Sequence, residues 1–169
     1  MKARFLSTQA REPAPWYQHE EIGYNFRMSN VVAGVGRGQI LHLDEHNKIK
    51  KDIYFRYKEA LKDLPLSMNP YLVDSEPNFW LSCILIDKGI EVSPITIMNE
   101  LSKHNIESRP LWKPMHMQPV YKDREFIKLN ETAVDEDLFA RGLCLPSDIK
   151  MTIEEQNKVI EIIKGCFYA

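Results

Sequence analysis

Ile49, Ile53, Tyr57, Leu61 and Leu64 recur at spacings of four, four, four and three. That rhythm keeps them on one face of an α-helix, because residues three and four apart lie one above the other. Lys48, Lys50, Lys51, Glu59 and Lys62 fill other positions, so one face can be buried while the rest meets water. A helix built this way needs an apolar layer to cover it, and the chain that follows must supply that layer. The helical pattern reaches back to Ser29 and is stopped by Pro65. Its first part is unusual. Gly34, Gly36 and Gly38 each cost roughly 1 kcal/mol relative to alanine in a helix interior. We therefore expect close approach of another backbone there or a helix end, with a bend near Gly38 to Asp44.

The covering layer is readable downstream. Leu66 to Asn78, with Pro70 and Pro77, reads as a loop. Phe79 to Asp87 is short, apolar and rich in β-formers, so it reads as a buried strand ended by Asp87, Lys88 and Gly89. Ser93-Pro94 opens a helix, with Ser93 as cap and Ile97, Met98 and Leu101 on its apolar face. Asn105 to Arg109 reads as a second strand and Arg109 to Pro119 as a loop rich in Pro, Met and His. Tyr121 to Asn130 fits helix and strand equally poorly. Glu131 to Ala140 reads as a helix ended by Gly142, and Leu143 to Ser147 as a third strand clipped by Pro146. Thr152-Ile153-Glu154-Glu155 is a capping box that opens a last helix to Phe167, with Val159, Ile160, Ile163 and Phe167 inward. This order predicts an α+β fold: a small antiparallel sheet packed with helices, preceded by a long helix. Met1 to Glu21 is polar, and the prolines of Arg11-Glu12-Pro13-Ala14-Pro15 favour an extended loop. We expect it to be mobile, with rapid amide exchange over residues 1 to 20, or held by another copy of the chain. The expected division is 1–28, an extended lead-in and the loop that enters the long helix, and 29–169, a small domain with its linking helix.

Composition bounds the job. An apolar content of 44% and a charged content of 27% are those of a globular protein. A net charge of -2 argues against nucleic acid as a partner. Cys83, Cys144 and Cys166 have no metal-ligand spacing and read as reduced residues of a cytoplasmic protein. No apolar run approaches the roughly 18 residues that a membrane helix needs, so no membrane segment is expected. The five histidines are scattered, without a Ser/His/Asp or Cys/His arrangement. His42 and His46 stand four apart, but we read them as a solvated helix face and expect no metal.

Two stretches hold chemistry. In Gly23-Tyr24-Asn25-Phe26-Arg27-Met28-Ser29-Asn30, Ser29 or Asn30 can cap the long helix. Tyr24, Asn25 and Arg27 then lie on the loop leading into it, where an amide and a guanidinium can meet an anion. The plainer alternative is a glycine turn and a cap, with Tyr24 and Phe26 packed inward. In Asn105-Ile106-Glu107-Ser108-Arg109-Pro110-Leu111-Trp112-Lys113-Pro114-Met115-His116, Arg109 offers a planar fork for phosphate or carboxylate and Lys113 a point charge. His116 adds a hydrogen-bonding ring, Trp112 a stacking face, and Pro110 and Pro114 stiffen the loop. The alternative is a surface loop with Trp112 and Met115 tucked into the core.

These two stretches, in this order, resemble the DegT/DnrJ/EryC1/StrS family of sugar aminotransferases, which use pyridoxal 5′-phosphate (PLP). The resemblance runs over nearly the whole chain. It implies the C-terminal domain of a fold-type I aminotransferase, homodimeric when complete. Asn25 matches the asparagine that reaches the PLP phosphate of the neighbouring subunit, with Tyr24 and Arg27 flanking it. Arg109, Trp112, Lys113 and His116 match a loop of the nucleotide-sugar pocket. The implied reaction aminates a UDP- or GDP-linked 4-keto sugar, with glutamate as donor, for surface polysaccharide or glycosylation. The family's Schiff-base lysine lies in a Lys- and Gly-rich segment upstream of the match to Gly23. Lys2 lacks that context, so no catalytic residue is assigned and the chain alone is expected to be inactive. A different expectation is a non-catalytic module that self-associates or binds a sugar nucleotide.

Overall fold

The computed structural model of the protein describes residues 1–128 and 133–168. It divides into two units, Met1–Leu43 and Asp44–Ala169.

The first unit begins with a short helix, α1 (Lys2–Leu6), where an extended lead-in was expected. The extended course starts only after it. Thr8 and Asn25 form an antiparallel bridge. Around it, Tyr24 N–H donates to the Leu6 carbonyl at 3.1 Å, Gln9 N–H to Tyr24 at 3.1 Å and Phe26 N–H to Ser7 at 3.0 Å. The lead-in is therefore pinned by backbone bonds within the chain, which local composition does not reveal. Gly23 makes this approach possible, since a Cβ there would stand 2.5 Å from the Ala10 nitrogen. Ser29 caps α2 (Asn30–Ile40), its hydroxyl accepting from Val32 N–H at 3.3 Å. The helix ends at Ile40 and the next begins at Leu43, so the helical pattern breaks where the glycine run predicted. No residue of α2 is buried. Within 4 Å of a Cβ built on Gly34, Gly36 or Gly38 there is nothing, so the backbone approach expected there is not made among the described residues.

The second unit is built on α3 (Leu43–Ala60), followed by β1 (Leu66–Met68), β2 (Ser82–Ile86), α4 (Pro94–Lys103) and β3 (Arg109–Pro110). Two 3-10 turns (Met115–Met117 and Pro119–Tyr121), α5 (Val134–Arg141), β4 (Gly142–Leu145) and α6 (Ile153–Tyr168) complete it. The start of the helix expected from Glu131 lies outside the described residues. The sheet order is β1-β2-β4-β3, and every pairing is antiparallel. The α+β class is as expected, with four strands among the described residues where three were read from the sequence. β1 falls inside the expected loop, because a three-residue strand is defined by its partners Ile84 to Ile86 rather than by its own pattern. β2 starts later than expected, since Phe79 sits at φ +49 and cannot be strand. Asn105, at φ +57, likewise cannot be strand, and β3 begins only at Arg109.

The expected helix faces form the core. Ile53, Tyr57, Leu61 and Leu64 meet Ile84, Ile86, Leu143 and Leu145 of the sheet, with Ile97 and Leu101 of α4 and Val159, Ile160 and Ile163 of α6. Ser93 caps α4, accepting from Thr96 N–H at 3.1 Å. The capping box of α6 is reciprocal: Glu155 N–H donates to the Thr152 hydroxyl at 3.2 Å and Thr152 N–H to the Glu155 carboxylate at 2.8 Å. Several buried polar groups in this core are partnered, as burial demands, whereas the Ser82 and Ser108 hydroxyls are not. Gln156 Nε2 donates to the Ile53 carbonyl at 2.9 Å and its Oε1 accepts from Arg56. The Tyr57 hydroxyl donates to the Pro146 carbonyl at 3.0 Å, and burial pushes its pKa up.

Candidate functional site

Alternation fixes the two faces of the sheet. Ser82, Ile84 and Ile86 of β2 are buried, and Leu143 and Leu145 of β4 join the core. Cys83, Leu85 and Cys144 must then face the other way. Arg109 is the register partner of Cys144 and shares that second face. A groove of about 410 Å³ opens there. Trp80 and Trp112 line it, together with Cys144, Ser108, Arg109 and Pro110.

The sequence-predicted residues of this loop divide. Trp112 is 67% exposed and Met115 63%, so the loop is not tucked into the core. The Trp112 ring lies 6.4 Å from Trp80, tilted by 39°, and the pair gives the groove two aromatic faces. Arg109 donates from Nε to the Glu107 carboxylate at 2.9 Å. Both side chains are about three-quarters exposed (76% and 73%), so this pair contributes at most about 1 kcal/mol and leaves the guanidinium available to an anion. Lys113 is exposed but does not line the groove. His116 turns away from it. Its Nε2 lies 2.9 Å from Glu136 and its Nδ1 3.5 Å from Asp135, both in the first turn of α5. Its ring stacks on Phe126 at 3.5 Å. His116 thus ties the loop to α5.

Trp80 and Cys144 escape sequence reasoning, because only the strand register brings them beside Arg109. Lys50 is a further surprise. Its ammonium donates to the Trp80 carbonyl at 3.2 Å and to the Ser147 carbonyl, so α3 clamps two loops near the groove. Burial lowers its pKa, while Asp148 opposes that shift.

Tyr24, Asn25 and Arg27 lie in the first unit. Tyr24 and Phe26 are 62% and 77% exposed, so they do not pack inward. The Asn25 side-chain oxygen accepts from Arg27 N–H at 3.2 Å. With the oxygen engaged, the amide presents its NH₂ donors. Together with the exposed Arg27 guanidinium this donor set is chemically suited to a phosphate. Among the described residues no group of three or more His, Cys, Asp and Glu side chains could hold a metal ion. No described helix is long and apolar enough to cross a membrane.

The fold of this chain, a small antiparallel sheet packed with helices, is shared with solved sugar aminotransferases. Spr1654 of Streptococcus pneumoniae, named as a sugar aminotransferase and solved in a PLP form, superposes with a TM-score of 0.83 at 22% identity, over 98% of this chain and 42% of that one. The model of the DegT/DnrJ/EryC1/StrS aminotransferase family matches residues 1–164, and the chain belongs to that family. EpsN of Bacillus subtilis, named as a pyridoxal phosphate-dependent aminotransferase, is 47% identical over 169 residues, 99% of this chain and 43% of that protein. A GDP-perosamine synthase of Vibrio cholerae is 29% identical over 89% of this chain and 41% of its own length. The chain thus spans less than half the length of the curated relatives it matches.

Proposed function

We propose that the chain is part of a PLP-dependent aminotransferase that aminates C4 of a keto sugar linked to UDP or GDP, with glutamate as donor. The groove carries this reading. The Arg109 fork suits the diphosphate of a sugar nucleotide, and Trp112 and Trp80 offer flat faces to a base or sugar ring. Lys113 adds a positive charge on the same loop, and His116 ties that loop to α5. The likeness to a GDP-perosamine synthase supports a sugar nucleotide as the substrate class. The Asn25 amide and Arg27 guanidinium, with Tyr24 beside them, would hold the PLP phosphate of a second copy in a homodimer. PLP supplies the electron sink that lets an amino group pass between carbons. No lysine of this chain stands in the context of the family's Schiff-base lysine, so the chain by itself does not carry out the transfer. The product would serve cytoplasmic steps toward surface polysaccharide or glycosylation.

Titration calorimetry with UDP- and GDP-sugars tests the groove. Micromolar to millimolar binding, weakened about tenfold (about 1.4 kcal/mol) by Arg109→Ala and by Trp112→Ala, is the expected result. Undiminished binding by both variants, or none by the wild-type chain, overturns it. Amino transfer by this chain alone, followed with glutamate, PLP and a keto-sugar nucleotide, would refute its dependence on more than these residues. A non-catalytic, self-associating module is the second reading, and the unburied apolar residues of α2 favour it.

A further inference from the structure

Cys83 of β2 and Cys144 of β4 are direct partners across the sheet. Cys83 N–H donates to the Asn69 side chain at 2.9 Å, and the Cys83 carbonyl accepts from Asn69 N–H at 2.9 Å. In an antiparallel strand both backbone groups of one residue point to the same side. Those of Cys83 point toward the β1 edge, away from β4. Cys83 and Cys144 are therefore a non-hydrogen-bonded pair, the kind whose Cα atoms come within about 4.5 Å. That separation lies within the disulfide range of about 4.4 to 6.8 Å. The sulfurs already stand 3.5 Å apart on the second face of the sheet. Rotation about the side chains can close that gap without moving either strand.

We propose that Cys83 and Cys144 are a reversible dithiol–disulfide pair, Cys144 lining the Arg109–Trp112 groove and Cys83 beside it on the same sheet face, closed by hydroperoxides and reopened by small thiols. Cys144 is the attacking sulfur: only 8% exposed, it is nevertheless the one of the pair that lines the groove. The S–H of Cys83 held against it draws its thiol below the ordinary value. The same contact, with burial, pushes Cys83 up. A thiolate at Cys144 attacks one peroxide oxygen; the S–O bond forms, the O–O bond breaks, and the departing hydroxide takes up the proton that Cys144 gave to water. Cys83 sulfur then attacks Cys144 sulfur. The S–S bond forms, the S–O bond breaks, and the second hydroxide takes the Cys83 proton. The two cysteines lose two electrons and two protons, and hydrogen peroxide becomes two waters. Small thiols reverse the closure by exchange at one sulfur.

The test is mass spectrometry of the intact chain after treatment with hydrogen peroxide, alkylation of remaining thiols and peptide mapping. We expect loss of the mass of two hydrogen atoms, one alkylated cysteine (Cys166), and a Cys83–Cys144 linked peptide that dithiothreitol removes. In Cys83→Ser, Cys144 should be trapped by dimedone as a sulfenic acid; Cys166→Ser should keep the linked peptide. Three alkylated cysteines after peroxide, stable over-oxidation of Cys144 in the wild-type chain, or a disulfide between two chains would each overturn the proposal. An effect on sugar-nucleotide affinity, expected as a several-fold loss on oxidation, rests on the proposed function. The linked peptide does not, so a chain that forms it without binding any sugar nucleotide refutes the proposed function and leaves the pair standing.

Discussion

At the scale of single residues, Arg141 does much of the positioning. It closes α5 and stands next to the first residue of β4. Its guanidinium donates to the Ile86 carbonyl at the end of β2 and, through Nε at 3.0 Å, to Asp137 one helical turn earlier. That hydrogen bond, assisted by Lys88 at 3.4 Å, holds the Asp137 carboxyl at about 2, well below the usual carboxylate range. The sign follows directly. The native carboxylate binds its proton less readily than the unfolded one, whose pKa is about 3.9. The contribution is present above roughly pH 4 and is lost as pH falls toward 2. A carbon-detected NMR titration should give Asp137 a midpoint near the lower value, rising toward the ordinary one in Arg141→Met. In Asp137→Asn, thermal stability should fall less steeply between those pH values than in the wild type. An Asp137 midpoint near 4 in the wild-type chain would show that the pair is not formed.

At the scale of elements, legibility followed locality. α4 and α6 could be read because their caps and apolar faces lie within the segment itself: Ser93 with Thr96, Thr152 with Glu155, and residues three and four apart. β1 could not, because Leu66-Ser67-Met68 becomes a strand only when Ile84 to Ile86 lie beside it. The site divides on the same line. Arg109 and Trp112 announce themselves by residue type on a proline-stiffened loop, whereas Trp80 and Cys144 join them only through a register set tens of residues away. Gly142 was legible as a helix stop, but its tighter constraint was not. A Cβ there would stand 2.5 Å from the Leu138 carbonyl and 2.1 Å from a Leu111 methyl. The methyl can yield; the carbonyl belongs to the helix backbone. Gly142→Ala should therefore shift the joint between α5 and β4 and cost about 1–3 kcal/mol. Denaturant unfolding measures this, and a loss under about 0.5 kcal/mol, within the range of neutral surface changes, would mean that the joint relaxes freely.

At the scale of the whole molecule, the two units differ in how their apolar residues are used. The core of the second unit gathers side chains from α3, α4, α6 and the sheet into one cluster. In the first unit, Val31, Val32 and Val35 of α2 are all more than half exposed. Three glycines in the same helix have open space where a side chain would be. For the chain alone this is a poor use of sequence, because glycine weakens a helix and exposed valines gain nothing by burial. Both features make sense together if another backbone lies against α2. The two situations predict opposite results for one substitution. In an isolated chain, Gly36→Ala should stabilise α2 by up to about 1 kcal/mol and raise its helicity. Where a second copy packs closely on the glycine face, the same methyl blocks the approach and weakens association. Sedimentation equilibrium and circular dichroism on one sample read both quantities. We expect concentration-dependent self-association of the wild-type chain, weakened several-fold by Gly36→Ala and by Val35→Asp, while Gly36→Ala gains helicity at dilute concentration. A wild-type chain that stays monomeric at the highest concentrations, or a Gly36→Ala variant that associates as well as the wild type, would mean that α2 does not meet a second copy through its glycine face.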